Sequence, residues 1–271
     1  MKLIESEVII KEQEPGIDGI YKQIEWAGRH CYKSHDKITK DSAKEFVDRM
    51  IKSKHGAMLE HGTVYLSVPK EETEIIGFHG WCQYSKVRSD LVMEEPCNWL
   101  ITTNMRVLVE HDRLRDLKYI CEPTKRHEKR ITARFTCDRG VSHEIVRHRV
   151  MSFAQESQRY VGYDKEKFGS EVTFIKPHWY DEEFPACLTW IESLKDAEQK
   201  YMDLREAGLK AQDARGVLPN ATKTEIVVTG FESDWEHFFS LRSPKYGAQG
   251  VHPDMAKLAD ELYEKLNSVN K

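Results

Sequence analysis

The densest chemistry in the sequence lies between Arg147 and Arg159. Arg147-His148-Arg149 is followed by Ser152, Gln155, Glu156, Ser157, Gln158 and Arg159. Guanidinium forks match phosphate oxygens two by two, and neighbouring cations repel unless an anion joins them. Such a cluster suits a phosphate-bearing ligand. Read as a helix, Arg149 shares a stripe with Ile145 and Val146, and Arg147 faces His143 and Glu144. The plainer alternative is a basic helix end set against the negative pole of the helix dipole. A second candidate is Trp235, Phe238, Phe239 and Arg242, spaced i, i+3, i+4 and i+7 on one helix face. At the end of an apolar stripe, Arg242 needs an anionic partner or a pocket rim; otherwise it snorkels to solvent. His30 with His35, or His55 with His61, could be drawn as metal ligands, but such pairs are more often structural, and no metal is expected. Arg29 and His30 flank Cys31 and would lower its pKa, yet a small buried core thiol is the better reading.

The elements that must hold these residues alternate between helix and strand. Asp18 can cap a helix carrying Ile20, Tyr21, Ile24 and Ala27. A second helix begins near Thr39 or Asp41, buries Phe46, Val47, Met50 and Ile51, and ends by Gly56. Thr63–Val68 and Thr132–Cys137 alternate with period two and read as strands. The charged segment 70–130 between them is expected to hold helices around 72–86 and 104–117. Its apolar pieces, among them Trp81, Trp99-Leu100-Ile101, Met105 and Val107-Leu108-Val109, suit core or a subunit interface. Val141 to Met151 reads as a helix entering a loop, and Phe184 to Arg215 as one long helix. Thr222 to Thr229 is strand-like, Asp234 to Arg242 helical, and Pro253 opens a last helix. The class is α/β or α+β, in one domain.

The chain has 271 residues, enough for a large core, with a net charge of −4 from 41 basic and 45 acidic residues. That balance argues against a general nucleic-acid binder and leaves room for a local phosphate pocket. No run is apolar enough for a membrane helix, and acidic residues stand at the N-terminus where a signal peptide needs an apolar stretch. Six scattered cysteines without a C-x-x-C pair suggest reduced thiols, no zinc site and a cytoplasmic location.

Arg147-His148-Arg149, seven residues, then Ser157 resembles the defining motif of the flavin-dependent thymidylate synthases. Ser157-Gln158-Arg159-Tyr160 continues the likeness. In the same order along the chain, Ala27-Gly28-Arg29-His30-Cys31-Tyr32, His55-Gly56-Ala57-Met58-Leu59-Glu60-His61, Arg215-Gly216-Val217-Leu218-Pro219 and Phe238-Phe239-Ser240-Leu241-Arg242 with Ala248-Gln249 resemble further family segments. The resemblance spans most of residues 1–271, and 70–130 looks like an insertion. It implies a homotetramer of α/β subunits, each with a curved sheet flanked by helices, and active sites shared between subunits. It implies conversion of dUMP to dTMP, with methylenetetrahydrofolate as carbon donor and NADPH as reductant through bound FAD.

Roles carried over from the resemblance are as follows. Arg147, His148 and Arg149 contact FAD, Arg147 also facing the nucleotide. Ser157, Arg159 and Arg215 bind the dUMP phosphate, and Glu144 and Gln155 touch dUMP or the flavin. Cys31, His55, Ala57 and Glu60 lie along FAD of a neighbouring subunit, and Phe231, Glu232, Ser233 and His237 hold another part of it. Arg242 stabilises the ionised uracil N3, so no cysteine nucleophile is needed. Glu144 stands where Gln is common in the family, Gln155 where Glu is, Phe231 and His237 where Asn is, and Ala57 where Thr occurs. Glu144, one turn before Arg147, can pair with it or repel a substrate phosphate. Two other readings stay open: flavin- and folate-dependent methylation of another uridine acceptor, or a non-catalytic protein that senses phosphate.

Overall fold

A computed structural model describes residues 1–89, 98–159, 162–164 and 171–269. The fold is mixed α/β, with its strands in several sheets flanked by helices. The central sheet is antiparallel throughout, in the order β2 (Glu7–Ile10), β6 (Arg130–Asp138), β9 (Lys223–Phe231) and β7 (Ser152–Gln155). β6 and β9 pair along nine residues, from Arg130 opposite Phe231 to Asp138 opposite Lys223. A second sheet runs β3 (Thr63–Val68), β5 (Trp99–Asn104), β4 (Lys86–Ser89), and β1 (Lys2–Ile4) pairs in parallel with β8 (Thr173–Ile175).

Helices cover the central sheet on two sides. On one side α1 (Gly16–Tyr32) packs with α2 (Ser42–Lys52) and the short α3 (Gly56–Leu59) around Ile24, Phe46, Val47 and Leu59. On the other, α9 (Glu232–Arg242) and α10 (Pro253–Val269) bury Trp235, Phe238, Leu258 and Leu262 against Phe135 and Val228. The alternation that marked the strands sets one apolar face into a core: Val64, Leu66 and Val68 of β3 into the first, Ala133, Phe135 and Cys137 of β6 into the second. Gly28 is required by the α1–α2 contact: a Cβ there would lie 2.4 Å from the Phe46 ring.

Several elements differ from the expectations. α1 starts at Gly16 after Pro15, so Asp18 lies in the first turn and does not cap it. The stretch expected as one helix from 184 to 215 is α7 (Pro185–Glu206), then α8 (Ala211–Ala214) and a 3-10 turn at Arg215–Val217. Gly208, at φ +92°, breaks it, and its N–H returns to the carbonyl of Arg205. Within 70–130, α4 (Thr73–Trp81) and α5 (Met105–Glu110) replace longer helices, followed by a 3-10 turn at Leu114–Tyr119. Two strands there, β4 and β5, were unforeseen. β5 is buried along almost its whole length, which removes the alternation that betrays a strand. Leu100, Ile101, Met105 and Leu108 are core, whereas Trp81 is 93% exposed. Tyr160 and Cys97 fall outside the described residues.

Candidate active site

α6 (Arg139–Ile145) delivers the basic cluster. Its N-cap Asp138 accepts the Val141 N–H at 2.7 Å, and Asn220 O accepts the Arg139 N–H at 2.8 Å. The helix stops at Ile145, because residues from Ser152 onward are drawn onto the edge of β9. Arg147, His148 and Arg149 therefore sit in the turn between α6 and β7, and not on a helix as the periodicity suggested. In that turn His148 is buried, and Arg147 and Arg149 are exposed with no side-chain hydrogen bond or ion pair among the described residues.

The aromatic stripe of α9 is buried as its spacing requires, and Arg242 finds an anionic partner. Its Nη1 donates to the Glu144 carboxylate, and its Nε donates to His148 Nε2 at 3.2 Å. Glu144 is thus engaged with Arg242, not with Arg147. Because Nε2 accepts, the His148 ring proton belongs on Nδ1. Burial, with Arg242 and His237 nearby, pushes His148 down to about 4, so the imidazole is neutral at physiological pH. Its ring meets Phe238 edge-on at 4.8 Å, and exposed His237 lies 6.3 Å away. Glu144, His148, His237 and Arg242 therefore form one cluster on this chain.

A second group gathers where α1 ends. The Ser157 N–H donates to the Cys31 carbonyl at 3.1 Å, and Ser157 Oγ accepts the Arg159 N–H at 3.4 Å. Gln155 Nε2 donates to Ser142 Oγ at 2.8 Å. Burial, together with Glu156, pushes the Cys31 thiol up to about 11, the opposite of activation. Arg29 is buried and turned to Glu25 at 2.8 Å. Buried Glu156 pairs with Lys223 at 3.0 Å, a structural ion pair that sequence reading missed for want of any local signal. Arg215 is exposed on its 3-10 turn, Nε donating to Gln212 O at 3.1 Å; no hydrogen bond or ion pair among the described residues ties it to the other two groups.

A third group surrounds Arg130. Glu60 pairs with Arg106, and Ser233 Oγ donates to Glu128. Phe231 is buried, its N–H donating to Asp234 Oδ2 at 2.9 Å, and Glu232 is exposed on a cavity of about 760 Å³ also lined by Thr63, Tyr65, Lys129 and Arg130. Ala57 is exposed on α3, and His55 meets the Tyr32 hydroxyl at 2.8 Å. Arg130 was not singled out by sequence; a charged residue opening a strand is the only signal it gives.

The residues fit an anionic ligand. Among the described residues Arg147 and Arg149 have no side-chain hydrogen bond or ion pair, and the buried atoms Arg130 Nε and His61 Nε2 are among those that lack a partner. His30, His35 and Glu225 offer ligand atoms within 4.8 Å of one another. There Arg134 Nη1 already lies 3.4 Å from His30 Nε2, and Lys223 lies 2.7 Å from Glu225, so the group reads as an ion-pair network.

Residues 127–269 match the family described as thymidylate synthase complementing protein. The chain belongs to this family. The match includes the Arg147–Arg149 turn and Arg242. A flavin-dependent thymidylate synthase of Pyrococcus furiosus is 36% identical over 129 residues, 48% of this chain and 52% of the relative. One of Pyrococcus horikoshii is 39% identical over 129 residues, with the same coverage, and one of Mycobacterium tuberculosis is 36% identical over 140 residues, 48% and 54% of the two chains. The chain spans about half the length of the curated relatives it matches. A solved structure of the UMP/dUMP methylase PolB from Streptomyces cacaoi is a distant likeness, with a TM-score of 0.48 and 15% identity over 99% of this chain and 93% of that one. Among the described residues no helix is long and apolar enough to cross a membrane.

Proposed function

We propose that the protein is a flavin-dependent thymidylate synthase that converts dUMP to dTMP, taking carbon from methylenetetrahydrofolate and electrons from NADPH through bound FAD. The observation that carries this reading is the Glu144–Arg242–His148 cluster inside the region matched to the family. In this reading the flavin supplies the hydride chemistry. The chain's residues bind and orient. Arg147, His148 and Arg149 take FAD; Ser157, Arg159 and Arg215 take the dUMP phosphate; Gln155 lies near the base. Cys31, His55, Ala57, Glu60, Phe231, Glu232, Ser233 and His237 form the rest of the FAD wall. Arg242 holds charge against the ionising uracil N3, a task suited to a guanidinium that never deprotonates. His148 is neutral, so it accepts from Arg242 without competing for the developing negative charge.

The reading includes a homotetramer whose subunits complete one another's sites, and a cytoplasmic protein with neither a nucleic-acid nor a membrane partner. It needs no cysteine nucleophile, and the half-buried Cys31, with its raised pKa, supports that. The test is Arg242→Ala assayed with FAD, dUMP, methylenetetrahydrofolate and NADPH. Loss of one such donor costs on the order of 100-fold in kcat while FAD stays bound. Undiminished dTMP formation would remove Arg242 from the chemistry. Binding of dUMP without any flavin binding or turnover would favour a phosphate sensor.

A further inference from the structure

We propose that Arg130, a residue outside the family's motif segments, is a positioning residue that ties the flavin wall together and gives it an uncompensated positive charge. The inference rests on the function proposed above. Arg130 opens β6 with its guanidinium inside the protein. Nη1 donates to the Glu60 carbonyl at 2.8 Å and reaches Thr63 Oγ1 at 3.5 Å; Nη2 donates to Ser152 Oγ at 3.0 Å. The guanidinium carbon lies 5.5 Å from the centre of the Phe231 ring. One side chain thus joins the end of α3, the start of β3, the strand that follows the Arg147–Arg149 turn, and the end of β9. Two of these four segments carry residues assigned to the FAD wall, and a third follows the turn that carries more.

Glu60 and Asp234 act on the charge only from a distance. No carboxylate forms an ion pair with Arg130 among the described residues. The acids close by are turned elsewhere, Glu60 to Arg106 and Asp234 to the Phe231 N–H. The histidine nearby, His61, is buried, is held neutral, and donates no charge. Burial pushes Arg130 down only to about 10, so it stays charged at neutral pH. A half-buried cation whose close partners are a carbonyl, hydroxyls and a ring face is electrostatically incomplete. An anionic ligand beside it completes the site. Arginine suits the task because its rigid fork reaches acceptors in separate directions, which an ammonium on a flexible stem does not.

The experiment titrates the full chain with FAD and with riboflavin, which has the ring but no phosphates, for wild type, Arg130→Met and Arg130→Lys. Melting temperatures without ligand are recorded in parallel. Arg130→Met should weaken FAD about tenfold or more, the scale of a lost charge-assisted contact, and riboflavin much less. Arg130→Lys, which keeps the charge but not the fork, should recover part of the FAD affinity. Equal weakening of both ligands, with no recovery in Arg130→Lys, would make Arg130 a purely structural residue and overturn the proposal. Should Arg130→Met fail to fold, Ser152→Ala takes its place. It cuts one tie, is expected to weaken FAD roughly three- to tenfold, and unchanged affinity would overturn the proposal. If the wild type binds no FAD, the functional reading falls and this inference with it; if it binds FAD and the variants bind equally, only this inference falls.

Discussion

At the scale of single residues, buried neutral histidines bind the two sides of the site. His61 is fully buried, its Nδ1 2.8 Å from Thr229 Oγ1. Burial first, and Arg130 second, push its pKa to about 3. His148 and His30 are pushed to about 4 by burial. An unfolded histidine titrates near 6.5 and the folded one far below, so the unfolded chain binds more protons between those values. Stability is therefore fully present above about pH 6.5 and is lost as pH falls toward the folded pKa values. For His61 the slope is about 1.4 kcal/mol per pH unit inside that window. Melting curves of His61→Gln from pH 7 to 4 should show a shallower acid decline than wild type. Parallel declines would mean that His61 does not drive it. The Arg242–Glu144–His148 contact could be anticipated only in part. Helical spacing demanded a partner for Arg242, but no local pattern names Glu144, which lies 98 residues away in the chain.

At the scale of elements, close approach decides where the chain tolerates change. Gly28→Ala adds helix propensity but drives a methyl into Phe46, and overpacking of this kind costs about 1–3 kcal/mol. Chemical denaturation should show a lower midpoint at unchanged slope; a stabilised variant would contradict the packing of α1 on α2. Elements with clean periodicity were legible. Thr63–Val68 was expected at its observed limits, Thr132–Cys137 lies inside the longer β6, Thr222–Thr229 is shifted to Lys223–Phe231, and Pro253 does open the last helix. What escaped were elements shaped by distant partners. The Arg147–Arg149 segment has helical residue types, yet the edge of β9 captures the chain at Ser152 and ends the helix. β5 is buried on both faces, and α7 is cut at Gly208 by a positive φ that composition does not disclose.

At the scale of the molecule, the candidate site is dispersed. Arg147, Arg149 and Arg215 point to solvent, while Glu144, His148 and Arg242 close on themselves. Among the described residues Arg147 and Arg149 have no side-chain hydrogen bond or ion pair, and Arg215 bonds to the Gln212 carbonyl, so in a chain of net charge −4 these guanidinium groups are open to an anionic ligand. Family membership was legible from ordered short motifs because chemistry fixes residue type and spacing together. Those motifs do not say how subunits meet, since assembly depends on whole surfaces. The most direct measurement is dTMP formation by the purified full chain supplied with dUMP, methylenetetrahydrofolate and NADPH, with and without FAD. The expected result is dTMP that accumulates only when FAD is present. Bound FAD and bound dUMP with no dTMP formed under the complete mixture would contradict the proposed function.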